Sequence, residues 1–350
     1  MKTDTLALSG ADTISLISNL STMLSAGIPI IEAVDSILSD AKGNQQKLLQ
    51  ILREDLMQGN SISSSFAKFP LVFNSVTVNV IHASEEAGTL DATLKDLRIS
   101  IQKEMEFTDK VKTALLYPVF IVVVFFLVLL LMLLFVVPKI SDVFSRLNVD
   151  LPLPTRILIF ASHTLITYPL FIIIGTGGIL LCIFSLYKKN KPLFMSFFVN
   201  LPFLSHLIEE IDLTRFSRSM YLLLSSGLPI TAALDLTSNV VIKKQTSNLI
   251  RSSRDMILAG KTLSEGFRQT KAKMPIIMIK LIEAGEKTGS LDRSMQDISE
   301  YFDYQVSQTL KILMALLEPV MLVLIGGVVG TMMLAIITPI YGLISKVGGR

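Results

Sequence analysis

Residues 18–37 read SNLSTMLSAGIPIIEAVDSI, and residues 218–237 read RSMYLLLSSGLPITAALDLT. Aligned, they match Gly27 with Gly227, Pro29 with Pro229, Ala33 with Ala233 and Asp35 with Asp235. Further along, a shift of 201 matches Gly59 with Gly260, Phe66 with Phe267, Gly88 with Gly289, Leu90 with Leu291 and Asp91 with Asp292. The same register enters apolar sequence, where LLYP at 115–118 pairs with LLEP at 316–319 and Pro138 with Pro339. The chain is therefore an internal duplication, and each copy is a polar region followed by one apolar segment.

The first apolar segment, ALLYPVFIVVVFFLVLLLMLLFVV at 114–137, holds no charge. At ~1.5 Å per residue it makes a helix of about 36 Å, enough to cross a bilayer. A second uncharged stretch at 165–187 contains Gly175, Gly177 and Gly178, and a third at 312–344 contains Gly326-x-x-x-Gly330. Such small residues permit close helix approach, although glycines tolerated against lipid read the same way. Lys103, Lys110 and Lys112 precede the first span, Lys188, Lys189 and Lys191 follow the second, and Lys311 precedes the third. Lys and Arg concentrate on the cytoplasmic side, so the N-terminus is expected inside and the C-terminus outside. The unmatched second span returns the chain, which lets both polar copies face one compartment and makes the duplication parallel, unlike an inverted repeat.

The expected organisation is an all-α integral membrane protein with two homologous cytoplasmic helical-bundle domains, 1–112 and 188–311, and three transmembrane helices, 113–138, 165–187 and 312–344. Residues 139–164 form an extracytoplasmic linker, in which LPLPT at 151–155 suggests an extended entry and the residues after it an interfacial helix. Residues 345–350 are a short outer tail. Within each polar copy, Gly27 and Gly227 sit where a helix would end and Pro29 and Pro229 where a first-turn proline would begin the next. Leu16, Leu20, Met23 and Leu24 keep a helical stripe before this corner, as do Phe216, Met220, Leu223 and Leu224.

Composition excludes several function classes. About half the residues, 51%, are apolar and only 17% charged, against roughly 25% in soluble domains. The net charge of +3 is dispersed, which does not suggest a nucleic-acid binder. Cys182 is the sole cysteine, so no internal disulfide or cysteine zinc cluster can form. Asp4 and Asp12 interrupt the start of the chain, unlike a cleaved signal peptide, and the first domain is expected to stay in the cytoplasm.

SAGIPI and SSGLPI, RF at 215–216, GEKTGSLD at 285–292 with its partner SEEAGTLD at 84–91, the span-opening YP and EP, and LPLPT together resemble the type II secretion system F family, which includes the inner-membrane platform proteins of type IV pili. The resemblance covers nearly the whole chain in the right order. It implies a scaffold without catalytic residues or cofactor, seated in the bacterial inner membrane. The implied partners are a cytoplasmic hexameric assembly ATPase, pilin or pseudopilin subunits, other inner-membrane assembly proteins and further copies of itself. Longer family members carry an extra N-terminal segment, whereas here the first domain starts at about residue 12, which favours a pilus over a secretion system. A transporter or channel subunit is the rival class, opposed by the lack of an inverted repeat and of a row of intramembrane polar groups.

The remaining motifs have plain alternatives. AGKT at 259–262 lacks a phosphate cradle, because a P-loop needs glycine where Asp255 stands. Gly285, Glu286 and Gly289, with Glu85 and Gly88 in the other copy, read as a turn capping two helices or as a partner-contact surface. Ser84 departs from the glycine at 285, which weakens any carry-over to the first copy. His82, Glu85 and Glu86 share a helix face, yet the second copy places Lys287 at the third position, so no metal site is assigned. Glu318 lies near the start of an apolar span, where a carboxylate wants a partner. It is either an interfacial glutamate reaching headgroups or Lys311, or it faces a helix interface. Tyr117 holds the duplicated position.

Overall fold

A glycine with positive φ ends a helix in a way no other residue does cheaply, and this chain uses that device at matching points of both copies. In the computed structural model, which describes residues 5–146, 153–168, 202–269 and 274–347, every element is helical. The first copy comprises α1 (Gly10–Ser25), α2 (Ile30–Asp40), α3 (Gly43–Met57), α4 (Ile62–Phe66), α5 (Ser75–Ala87) and α6 (Leu90–Leu131). A π-turn, Met132–Val136, then leads into α7 (Val137–Arg146), and α8 (Leu153–Thr167) follows. The second copy repeats the order as α9 (Pro202–Ser225), α10 (Ile230–Thr237), α11 (Lys244–Leu258), α12 (Leu263–Gln269), α13 (Ile276–Thr288) and α14 (Leu291–Val347).

Gly27 and Gly227 adopt φ of 80° and 82°. In each corner the glycine N–H donates to the carbonyl three residues back and the next N–H reaches five back, Ile28 to Met23 and Leu228 to Leu223, both at 3.0 Å. This pairing satisfies two carbonyls that the helix end would otherwise leave open. Pro29 and Pro229 fall one position earlier than expected, at the N-cap and with extended ψ, so each proline sets the direction of entry and the helix begins at the isoleucine after it. Gly59 and Gly260 close α3 and α11 in the same manner, and Gly88 and Gly289 close α5 and α13.

The chain divides into two units: Met1–Lys110 with Pro202–Gln308, and Val111–Leu201 with Thr309–Arg350. In the first, which we term the repeat unit, the two copies each have a core and fall in one compact unit. One core gathers Leu16, Leu20, Leu48, Leu52, Phe66 and Ile81 of the first copy. The other gathers Phe216, Met220, Leu223, Phe267 and Ile282 of the second together with Val76 and Val80 of α5. Neighbouring residues Val80 and Ile81 thus point into different cores, and α5 is a wall common to both.

The second, or span, unit holds the apolar parts of α6 and α14. Two helical stretches, Leu90–Asp142 and Leu291–Leu334, are long and apolar enough to cross a membrane, and their most apolar windows are not buried within the protein. An apolar surface of that length left uncovered is suited to lipid. The helices of the repeat unit do not stop at the expected boundaries of 112 and 311; α6 and α14 run through both positions without a break. Pro118 sits inside α6. The π-turn precedes Pro138, which has no N–H to offer the preceding turn and whose ring would crowd it. Ser162 of α8, itself buried, donates to the Leu133 carbonyl in that turn at 2.6 Å. The extended entry expected at LPLPT is not seen in its described part, because Leu153, Pro154 and Thr155 already form the first turn of α8, where proline is at ease. Of the expected second span, residues 169–187 lie outside the described residues, as does the start of the second domain up to residue 201.

Candidate functional site

Helices leave their first amides unpaired, and α4 and α12 meet that need with a carboxylate from elsewhere in the chain. Glu85, on α5, accepts hydrogen bonds from the Ile62 amide (2.6 Å), the Ser63 amide (3.0 Å) and the Ser63 hydroxyl (2.6 Å). Glu286, on α13, repeats the arrangement, accepting from the Leu263 amide and from the Ser264 amide at 3.3 Å. The charge also sits at the positive end of each short helix. Gly88 and Gly289 then end the carboxylate-bearing helices at φ of 68° and 70°. These hydrogen bonds make Glu85 and Glu286 caps of α4 and α12. With both oxygens of Glu85 engaged and His82 paired only to Glu86 at 3.7 Å, no group of three or more potential ligands is found among the described residues.

The glycine at 285 has a local cause. A Cβ there would lie 2.8 Å from the Ser294 Cβ and 3.0 Å from the Leu291 Cα. The first copy tolerates Ser84, which is buried and donates to the Ile81 carbonyl at 2.8 Å. AGKT at 259–262 is a helix-to-helix turn: Gly260 has φ of 84°, the Thr262 hydroxyl accepts from the Glu265 amide, and Glu265 accepts from the Thr262 amide, both at 3.2 Å. That reciprocal pair is a capping box.

Between the copies, α6 meets α9 and α14 along a charged seam. Glu104 of α6 accepts from Arg215 at 3.2 Å and from Arg218 at 2.7 Å. Arg218, with one-tenth of its side chain exposed, also lies 3.9 Å from Asp303 and 5.5 Å above the Phe107 ring. Lys103 pairs with Glu300 at 3.0 Å, and Lys110 with Asp303 at 3.2 Å and with the Ser307 hydroxyl at 3.0 Å. A cavity of about 230 Å³ opens beside them, lined by three cations (Lys103, Lys110, Arg218) and three acids (Glu106, Glu300, Asp303). With the charges balanced, the seam ties two copies together and has no excess charge to offer a free ion.

Two carboxyl groups of the repeat unit respond to pH with opposite sign. The hydrogen bond from Lys103, aided by Gln296, holds Glu300 below its ordinary value of 4.5. A depressed carboxyl adds stability above its unfolded pKa and loses it as pH falls through its folded value. The protection of the α6 amides around Lys103 against hydrogen exchange, relative to the intrinsic rate at each pH, is therefore expected to fall on acidification below about pH 4.5, and Glu300→Gln to flatten that response. An unchanged profile in the variant would show that the pair carries none of it. Burial pushes Asp212 up from 3.8, against the amides of Ile242 and Lys243, which donate to it at 2.6 and 2.7 Å. Its penalty grows as pH rises through the interval above 3.8.

The intramembrane candidates fall in the span unit. Tyr117 is about half exposed, and Glu318 is exposed and has no hydrogen bond or ion pair among the described residues. Added Cβ atoms at Gly326 and Gly330 would meet nothing within 4 Å, so this face is not packed against the described part of the chain. Glu104, Arg218 and Asp212 are not among the residues that sequence reasoning singles out. The available signal is α9 itself, where Asp212, Arg215 and Arg218 interrupt an apolar helix at spacings that bring charges to its buried faces.

Residues 16–138 and 216–339 each match the family described as type II secretion system (T2SS), protein F. Among relatives, the type IV pilus assembly protein PilC of Myxococcus xanthus is 27% identical over 340 residues, spanning 95% of this chain and 81% of that protein. PilC of Thermus thermophilus is 28% identical over 335 residues, 93% of this chain and 80% of the relative. The type II secretion system protein F of Pseudomonas aeruginosa is 27% identical over 344 residues, covering 97% and 85%.

Proposed function

Since the chain belongs to the type II secretion system protein F family, we propose that it is the inner-membrane platform of a type IV pilus or type II secretion machine. In this reading the repeat unit receives a cytoplasmic hexameric assembly ATPase, and the span unit hands pilin or pseudopilin subunits from the bilayer to the filament. The observation that carries it is the pair of unbroken helices. Each copy ends in one helix, α6 or α14, whose early residues belong to the repeat unit and whose later residues are apolar. A push on the early turns is thus passed along a single helix, with no loop to absorb it.

The finer arrangement is part of the same proposal: three spans with 165–187 as the returning middle one, polar domains at 1–112 and 188–311 in the cytoplasm, and the C-terminus outside. Lysines at 103, 110, 112, 188, 189 and 191 support that orientation. Self-association through the open Gly326 and Gly330 face accompanies it. In this reading the protein acts as a scaffold.

Deleting the gene is expected to abolish surface filaments, or secretion of the system's substrates, while pilin and ATPase levels stay at wild type; re-expression restores them. Normal filaments and normal secretion in the deletion strain would refute the proposal.

A further inference from the structure

Between the paired spans runs a groove of about 440 Å³ whose lining is apolar throughout. Phe120, Val124 and Val128 contribute from α6, and Ile325, Val329 and Met332 from α14. At 100° per residue, positions 325 and 329 lie about 20° to either side of 318, so Glu318 falls on the groove stripe of α14 by helical count. Tyr117 shares the stripe of α6 with Val124 and Val128 by the same count. The duplicated pair, Tyr117 and Glu318, precedes the groove lining on each helix, three residues before Phe120 and seven before Ile325, on the same stripe by helical count, and Gly326 and Gly330 lie to its side.

A carboxylate at that place has a definite chemical requirement. Glu318 has no cation among the described residues, and leaving its charge unpaired beside hydrocarbon is costly. Anionic headgroups would be repelled by it. An α-helix, by contrast, satisfies its own backbone in lipid, can fill the groove with apolar side chains and can bring an amine or guanidinium to one level. The methionine and aromatic lining suits such a guest, because it adapts to side chains of varied shape.

We propose that the groove receives a transmembrane helix of another protein, apolar along its length and bearing one basic group level with Glu318. The inference rests on the platform reading for the role of that guest, a subunit passing through the membrane, but its test is separate from the deletion experiment.

Full-length protein with Cys182→Ser and Val329→Cys is reconstituted in bicelles with synthetic 22-residue Leu/Ala helices that carry a cysteine at mid-length and Lys, Gln or Glu near one end. Disulfide cross-linking to position 329 is expected to favour the Lys peptide over Gln by about ten-fold, and Glu318→Gln to abolish that preference. Equal capture of the Lys and Gln peptides, or a Lys preference that survives Glu318→Gln, overturns the proposal. So does a groove already filled, whether by a second copy seen as a cross-linked dimer at position 329 or by the chain's own residues shielding it from a soluble maleimide and every peptide. Failure here with a filament-free deletion strain would leave the platform reading intact and remove the groove alone.

Discussion

Glu85→Ala lowers the stability of the repeat unit by about 3 kcal/mol, and Glu286→Ala by about 2. The carboxylate of Glu85 receives three hydrogen bonds, two from orphan amides of α4 and one from the Ser63 hydroxyl. Charge-assisted bonds of this kind contribute roughly 1.5–3 kcal/mol each in protected sites, and both glutamates are half-buried, which reduces the sum. Glu286 receives two, one of them long at 3.3 Å, so the second copy loses less. Glutamine can accept but cannot serve both amides as well, and Glu85→Gln falls between wild type and alanine. Native-state hydrogen exchange reads the effect where it arises: the amides of Ile62 and Ser63 should lose about a hundred-fold of their protection in Glu85→Ala. Protection within two-fold of wild type would show that the cap contributes nothing to holding α4.

Arg218→Ala is expected to cost about 2–4 kcal/mol and to loosen α9 from α6. The side chain is nine-tenths buried, and its removal vacates the space over Phe107 as well as two ion pairs. The loss stays below that of a fully buried pair because Glu104 keeps Arg215 at 3.2 Å and is partly solvated. A cycle with Glu104→Ala should give a coupling of about 1.5 kcal/mol or more, since the two groups are in direct contact. Additivity within about 0.3 kcal/mol would mean the contact seen at 2.7 Å does not hold the copies together. Arg218→Lys keeps the charge but loses the planar fork, and recovers part of the stability only.

The duplication, the helix corners and the two long apolar helices are legible in the amino-acid sequence, because each rests on local chemistry: a glycine with positive φ, a proline after it, a run without charge. The capping role of Glu85 and Glu286 can be narrowed to two readings but not chosen from sequence, since the amides they serve lie 22 and 23 residues away. Glu104 and Arg218 are 114 residues apart, and no periodicity links them. Nor does any pattern in α5 announce that its two faces serve different copies, because an apolar residue looks the same whichever core receives it. Which core each face of α5 enters is decided only in the folded chain.

The common wall has a cost during biosynthesis. Val76 and Val80 are made with the first copy, yet Phe216 and Met220, their neighbours in the finished core, emerge only after the intervening apolar sequence has been synthesised. Until then the ribosome presents a half-clad helix, with Ile81 already sheltered and the adjacent valines wet. Nascent surfaces of this kind recruit chaperones or stick to one another. The polar part of the first copy alone, residues 1–110, is therefore a poor target for recombinant expression, and a polar residue at Val80 should improve its solubility while harming the intact protein.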